Sequence, residues 1–169
     1  MNKYILIALL ITTSHLPAQV LEITEAEAAI AFNFVDDDVD GVFEGFLFTG
    51  KVDLDDLTNS VLSGSVETKT IDTNNWLRSR HLRAKKYFNA KDFPKINFKS
   101  TTLSGTKTAF KAHGTLSIKG IKKAVVWNFT NNGKTLTGTT TINTLDFNIE
   151  IHEDRQRNKT VVTIVLPYQ

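Results

Sequence analysis

The sequence predicts an all-β fold, an eight-stranded antiparallel barrel with one short helix between the third and fourth strands. Three observations predict it. Eight segments alternate apolar and polar residues with period two, which sends successive side chains to opposite faces of a sheet. The connections between them are short and carry hairpin residues, among them Ser104-Gly105, Lys119-Gly120 and Asn131-Asn132-Gly133. No helical stretch long enough to make a parallel crossover lies between them. Strands joined by tight hairpins are antiparallel neighbours, and eight are enough to close a small barrel.

At the N-terminus, Lys3 precedes an apolar run from Tyr4 to Ile11, and Leu16-Pro17-Ala18 offers a small residue before Gln19. This reads as a secretory signal peptide spanning 1–18, because the run is shorter than the ~20 residues that cross a bilayer. Cleavage after Ala18 leaves 19–169 as one domain, expected to be soluble and periplasmic or secreted. The eight segments follow: Ala28–Val35, Phe46–Leu54, Ser60–Ile71, Ile96–Leu103, Lys107–Ile118, Ile121–Asn131, Lys134–Asn143 and Thr160–Leu166.

Alternation assigns their faces. The inner set is Ile30, Phe32 and Phe34, then Phe46, Phe48, Gly50 and Val52, then Leu62, Gly64 and Val66. Ile96 and Phe98 follow, and Phe110, Ala112, Gly114, Leu116 and Ile118. Val125, Trp127 and Phe129 come next, with Leu136, Gly138 and Ile142 last. Glycine weakens a strand interior, so its repeated presence on the apolar face wants a reason. Two are compatible: accommodation of a bulky ring or barrel curvature, and room for an apolar guest in the small interior an eight-stranded barrel encloses.

The helix lies in the stretch Gly64 to Ser100. An extended run ends at Ile71, Asp72-Thr73 can cap a helix, and that helix carries Arg78, His81, Leu82 and Arg83. Phe93-Pro94 then restores extended backbone. The order Ile71-Asp-Thr, an Asn, Arg78-x-x-His81-Leu-Arg83, Phe88, and Pro94-x-Ile96-x-Phe98-Lys-Ser100 resembles the YceI-like lipid/polyisoprenoid-binding family. The hairpin Gly114-Thr-Leu-Ser-Ile-Lys-Gly-Ile-Lys-Lys-Ala-Val125 is similar to the family's, as are Thr140-Thr-Ile-Asn143 with Asp146-Phe147, and Phe48-Thr-Gly50. The resemblance covers about residues 28 to 166. It departs from the family pattern at Glu27, Ser79 and Thr144, which stand where His, Asp and Arg are common.

The resemblance implies a lipocalin-like barrel that holds an amphiphilic lipid, often an isoprenoid chain. Residues expected to contact that ligand are Phe32, Phe34, Phe48, Val66, His81, Phe88, Phe98, Phe110, Ala112, Gly114, Trp127, Phe129 and Gly138. Apolar burial alone can hold it: ~0.8 kcal/mol per methylene over a tail of ~20 carbons exceeds an association cost of ~4–15 kcal/mol.

Catalytic chemistry has little support. On a helix starting near Asn74, Leu77, His81, Ala84 and Phe88 share a face, which turns His81 inward over the barrel mouth. There it is a hydrogen-bonded structural group or a head-group contact. The alternative to a carrier is a barrel enzyme acting on a hydrophobic substrate with His81 as acid/base. Arg78, Arg80, Arg83, Lys85 and Lys86 form a solvated basic face, or a positive rim for transient contact with an anionic membrane surface. Asp36-Asp-Asp-Val-Asp40-Gly41 begins like a calcium loop but has Leu47 at the twelfth position, where a Glu is required. His113 and His152 find no second ligand at metal spacing. No metal or cofactor is therefore expected.

The chain has no Cys, which removes disulfides, thiol catalysis, thiolate metal sites and a lipoprotein anchor together. Its formal charge of +2 becomes +1 without Lys3. That is too weak for a nucleic-acid binder, which needs a concentrated basic face. Oligomeric state and lipid identity are not written in the sequence.

Overall fold

The computed structural model describes residues 20–169. The expected signal peptide lies outside the described residues. One sheet of nine antiparallel strands accounts for most of the chain: β1 (Ala29–Phe34), β2 (Val39–Phe43), β3 (Leu47–Phe48), β4 (Ser63–Glu67), β5 (Lys95–Gly105), β6 (Ala109–Ile118), β7 (Ile121–Asn131), β8 (Thr135–Asn143) and β9 (Lys159–Pro167). Their order in space is β2-β1-β9-β8-β7-β6-β5-β4-β3. Among the described residues a single α-helix, α1 (Trp76–Arg83), sits between β4 and β5. The all-β class with one short helix is thus as the sequence predicts.

The strand count differs by one, and the reason is local. The acidic run Asp36–Asp40 reads as a solvated loop, yet its second half opens β2, which pairs with β1 through a tight hairpin. Asp38 takes the left-handed conformation there, φ 49°, and Asn33 Nδ2 donates to Asp40 Oδ1 across the pair at 2.9 Å. Gly41, the last residue of the calcium-loop pattern, lies opposite Phe32 in this ladder. Two expected strands are also shorter than their pattern. Of 46–54 only β3 pairs continuously, with isolated bridges at Lys51–Val61 and Val20–Asp53 beyond it. Of 60–71, β4 ends at Glu67 and a 3-10 turn follows at Thr68–Thr70.

β5 carries a register shift between Ser100 and Thr102, so its buried positions change parity along one strand. Phe98 and Ser100 face inward before it and Leu103 after it. Such a bulge bends a strand and helps curl the sheet.

The two edges, β2 and β3, are brought together by bonds at both ends. Val42 and Asp72 exchange backbone hydrogen bonds at 2.8 and 3.0 Å, and Glu67 N–H donates to Glu44 O at 3.2 Å. At the opposite end the first described residues cross the opening. Leu21 N–H donates to Val52 O at 2.8 Å, and Thr24 N–H donates to Pro167 O at 2.8 Å. Glu22 and Gln169 exchange bonds at 3.3 and 3.0 Å. The barrel therefore closes along a seam rather than by a continuous ladder.

Helix α1 is anchored by polar contacts at its start. The cap is Asn75, whose side chain accepts from Arg78 N–H at 3.0 Å, in place of the expected Asp72-Thr73. Asp72 Oδ1 instead accepts from Asn74 N–H and from Ser79 Oγ, both at 3.0 Å, and Ser79 Oγ accepts from Thr73 N–H at 3.0 Å. These bonds bury Ser79 and, one turn on, Leu82. The helix ends before Ala84, which is extended with ψ 163°.

Two apolar clusters fill the barrel. A lower one contains Leu21, Val52, Leu62, Leu103, Phe110, Ala112, Trp127, Phe129, Leu136 and Leu166. An upper one, beneath the helix, contains Phe32, Phe34, Ile71, Leu82, Phe88, Leu116, Ile118, Phe147 and Ile149. The inward face assigned by alternation in β1, β6, β7 and β8 matches them.

Candidate ligand-binding cavity

Between the two clusters the barrel keeps a partly open cavity of about 110 Å³. Its walls come from nearly every strand: Ile30, Phe32 and Phe34 of β1, Phe43 of β2, Gly64 and Val66 of β4, and Ile96 and Phe98 of β5. Leu116 and Ile118 of β6, Trp127 and Phe129 of β7, Ile142 of β8, and Thr160, Val162 and Ile164 of β9 complete the circle. Phe88, Phe147 and Ile149 close it at the helix end, and Phe46 reaches it beside the seam. Among the described residues no Asp, Glu, Lys, Arg or His lines it.

The glycines explain why this space exists. A Cβ at Gly41 would collide with the Phe32 ring, at Gly114 with Phe98 Cζ at 2.6 Å, and at Gly138 with Phe129 Cε1 at 2.5 Å. At Gly64 it would meet Phe46 Cε2 at 2.9 Å. Each of these four rings lines the cavity. The glycines therefore seat aromatic rings back against the sheet, and the rings lying flat leave the centre open. Accommodation of a bulky ring is thus what the structure shows at these four positions, and the space at the centre follows from it.

Of the residues expected to contact a ligand, Phe32, Phe34, Val66, Phe88, Phe98, Trp127 and Phe129 line the cavity. Phe110 and Ala112 belong to the lower cluster instead, with Phe110 stacked on Phe129 at 5.1 Å between centroids and 10° between planes. Phe48 packs on that cluster from its edge. Gly114 and Gly138 act behind the rings they seat.

His81 is corrected. Its side chain is exposed and outside the cavity, because the Asp72–Ser79–Thr73 bonds turn the Ser79–Leu82 side of the helix inward. Leu77, from the same expected face, is 45% exposed, and Ala84 and Phe88 lie past the helix end, where helical spacing no longer applies.

The basic residues separate into roles. Arg78 Nε donates to Thr73 Oγ1 and its Nη2 to Thr73 O, both at 2.9 Å, so it braces the helix start. Arg83 Nη1 donates to Lys69 O at 3.0 Å. Arg80, Lys85 and Lys86 are exposed. Beside them, Trp76 on the first turn is 72% exposed. Lys119, in the β6–β7 turn, donates to Lys86 O at 3.0 Å and Asn148 O at 2.9 Å, and partial burial lowers its pKa.

The expectation that His152 has no second ligand at metal spacing is also corrected. Asp36, Asp37 and His152 bring ligand atoms within 4.8 Å of one another. His152 Nε2 lies 2.8 Å from Asp37 Oδ2 and 3.8 Å from Asp36 Oδ2. Arg157 Nε donates to Asp36 Oδ2 at 2.6 Å, and that hydrogen bond raises the arginine pKa. With a cation already on one carboxylate, the group works as a clip between the β1–β2 turn and the loop before β9. Asn158, fully buried, holds that loop: Ile151 and His152 N–H donate to its Oδ1 at 3.0 and 3.1 Å, and its Nδ2 donates to His152 O and Asp154 O, both at 2.7 Å.

Comparison with known proteins places this geometry. The YceI-like domain model matches residues 21–166. An UPF0312 protein of Photorhabdus laumondii is 28% identical over 88 residues, 52% of this chain and 46% of that protein. One of Yersinia pestis is 33% identical over 84 residues, 49% of this chain and 42% of that protein. The matched stretch thus spans less than half the length of these curated relatives. Among solved structures, BcnA of Burkholderia cenocepacia superposes with a TM-score of 0.75 at 20% identity, covering 86% of this chain and 98% of that one. The Campylobacter jejuni YceI protein gives 0.69 at 18% identity, covering 100% and 99%. A polyisoprenoid binding domain from Saccharophagus degradans, implicated in plant cell wall breakdown, gives 0.59 at 14% identity over 90% and 98%. With a family model matched across almost the whole described chain, and barrels of the same fold beside it, this protein belongs to the YceI-like domain family.

Proposed function

We propose that this protein is a binding or carrier protein for an amphiphilic lipid with an isoprenoid-like tail, exported to the periplasm or secreted. The observation that carries the reading is the uncharged cavity walled by aromatic rings that glycines hold back from its centre. A neighbour of the same fold described as a polyisoprenoid binding domain supports the ligand class, and the apolar run from Tyr4 to Ile11 supports export. Organic extraction of protein purified from its native source, followed by mass spectrometry, tests it. A stoichiometric prenyl or acyl lipid is expected, and recovery of none from folded protein refutes the reading.

Loading and release at a membrane extend the same proposal. Trp76 and Leu77 form an exposed apolar tip on α1, with Arg80, Lys85 and Lys86 around the helix. Tryptophan favours the membrane interface and lysine and arginine favour anionic head groups. The enzyme alternative loses its reason with His81 outside the cavity. His81→Gln is accordingly expected to leave lipid binding unchanged; loss of a turnover with binding intact would restore the enzyme reading.

A further inference from the structure

Two pieces of chain cover the cavity at the helix end, and they come from distant parts of the sequence. One is the turn after α1, residues 84–93, which puts Phe88 over the cavity. The other is the stretch after β8, residues 144–149, which adds Phe147 and Ile149. Each folds back on its own neighbours. Phe88 N–H donates to Leu82 O at 3.0 Å, and Ile149 N–H donates to Thr144 O at 3.1 Å. Among the described residues, the other hydrogen bonds of 84–93 likewise stay within that turn or run back to α1, with one exception. From the tip of the β6–β7 hairpin, Lys119 Nζ donates to Lys86 O at 3.0 Å and to Asn148 O at 2.9 Å. Those carbonyls stand two residues before Phe88 and one before Ile149. A single ammonium therefore pins both halves of the cover to the barrel wall. Turn chemistry does not account for a lysine here. Lys119 is left-handed, φ 53°, with Gly120 after it at φ 75°, and the first position of such a turn favours Asn, Asp or Gly.

The apolar and polar contacts of this cover answer a passing ligand differently. Phe88, Phe147 and Ile149 are buried in the upper apolar cluster, and a hydrocarbon sliding between them supplies contacts of the kind it removes. It offers nothing to an ammonium or a carbonyl, so the two Lys119 bonds must break unreplaced while the tail goes by. Resting on the carrier reading above, we infer that the ligand enters and leaves between the Phe88 turn and the Phe147–Ile149 stretch, and that Lys119 is the latch holding them shut. Lys119 is not among the residues lining the cavity. It is a positioning residue, acting through the chain on either side of Phe88 and Ile149. The latch is closed with the cavity empty or filled, so it sets how fast ligand arrives and departs and leaves the affinity of the closed cavity alone.

Exchange kinetics test this. The probe is 10-bromodecan-1-ol, whose bromine quenches a tryptophan it touches. In Trp76→Phe the single tryptophan is Trp127, on the cavity wall, so quenching reports entry. Stopped flow gives association on mixing and dissociation on a chase with excess decan-1-ol. In that background, Lys119→Met keeps the aliphatic stem and loses the donor, while Lys119→Arg keeps a cationic donor. Both rate constants are expected to rise about tenfold in Lys119→Met, the effect of one net hydrogen bond from a charged group. The Kd should stay within about twofold, because both rates move together. Lys119→Arg should return the rates toward those of the parent. Amide hydrogen exchange locates the effect: Phe88 and Ile149 should exchange about tenfold faster in Lys119→Met, and Phe129, inside the β6–β7 ladder, no faster. Unchanged rates, or a weaker Kd from faster dissociation alone, would overturn the inference and leave the carrier reading standing. So would equal speeding at Phe129, which would make Lys119 a general stabiliser. Absence of quenching in the Lys119 parent at any probe concentration would overturn the carrier reading, and this inference with it.

Discussion

If glycines hold the rings against the barrel wall, adding one methyl group at Gly138 must drive Phe129 off it. The new Cβ would stand 2.5 Å from Phe129 Cε1, 2.6 Å from its Cζ and 2.9 Å from Ile164 Cγ2. All three are side-chain atoms, so the site can yield, but Phe129 is stacked on Phe110 and tilted against Trp127 and can leave only toward the cavity. Overpacking of this size costs about 1–3 kcal/mol. Removing a strand glycine returns about 0.5–1 kcal/mol of chain entropy. Gly138→Ala should therefore be destabilised by roughly 0.5–2 kcal/mol. Gly114→Ala should lose more, about 3 kcal/mol, because its Cβ collides with the Lys99 carbonyl as well as Phe98, and that carbonyl belongs to the β5–β6 ladder. Equilibrium urea unfolding followed by tryptophan emission measures both. Shrinking the ring relieves the clash, so Gly138→Ala with Phe129→Leu should show a favourable coupling of about 1 kcal/mol. A Gly138→Ala protein as stable as the parent, or a Gly114→Ala protein no worse than Gly138→Ala, would refute the seating argument.

Tail length is a second test. At the roughly 10–15 Å³ that one water-sized body needs, 110 Å³ admits a correspondingly short stretch of chain. Affinity of alkyl amphiphiles, measured by displacement of a fluorescent fatty probe, should rise about fourfold per methylene and flatten near roughly seven to eleven carbons. A rise continuing to ~20 carbons would mean that the barrel opens along its seam. Asn158→Ala strips the loop before β9 of the bonds to Ile151, His152 and Asp154. A loss of about 3 kcal/mol in urea unfolding is expected, and a loss below about 1 kcal/mol would show that the loop is held elsewhere. Replacing Trp76 and Leu77 with Ser, and Arg80, Lys85 and Lys86 with Gln, should slow lipid transfer from anionic vesicles in a salt-dependent way. Bound lipid at equilibrium should be unaltered, and equal slowing with neutral vesicles would mark the helix as a lid rather than a dock.

The strands whose neighbours are consecutive in sequence, β5 to β9, were the legible part. Their alternation is regular, and turns such as Lys119-Gly120 name themselves. β2 was hidden because Asp36 to Asp40 outweighs the short pattern Val39-x-Gly-Val-Phe43, although Gly41 opposite Phe32 is what a ring-seating site looks like. The orientation of His81 could not be read from helical spacing, since hydrogen bonds from the segment before the helix decide which side turns in. Six of the seven expected contact residues that line the cavity do so because period two places them inside, and Phe88 reaches it from the turn after the helix. Alternation says nothing of height along the barrel, so Phe110 and Ala112 were grouped with them though they fill the floor. Phe147 and Ile149 were missed because they come from a loop without period, and the meeting of His152 with Asp37 spans 115 residues that no local pattern connects.

The bonds that tie Glu22 to Gln169, Thr24 to Pro167 and Leu21 to Val52 have a consequence for the order of events during folding. The meander β5 to β8 needs only hairpin contacts and can form early, as local pairings do. The floor of the barrel cannot, because it is sewn from the first and last described residues together. Until residues 167–169 are available, Glu22 and Thr24 have no partner in the last strand, Leu21 is tied to Val52 alone, and the sheet stays an open trough with its aromatic face wet. Ring closure is thus the final step, and loss of Tyr168 and Gln169 should leave a curved sheet that forms on time yet never becomes a container.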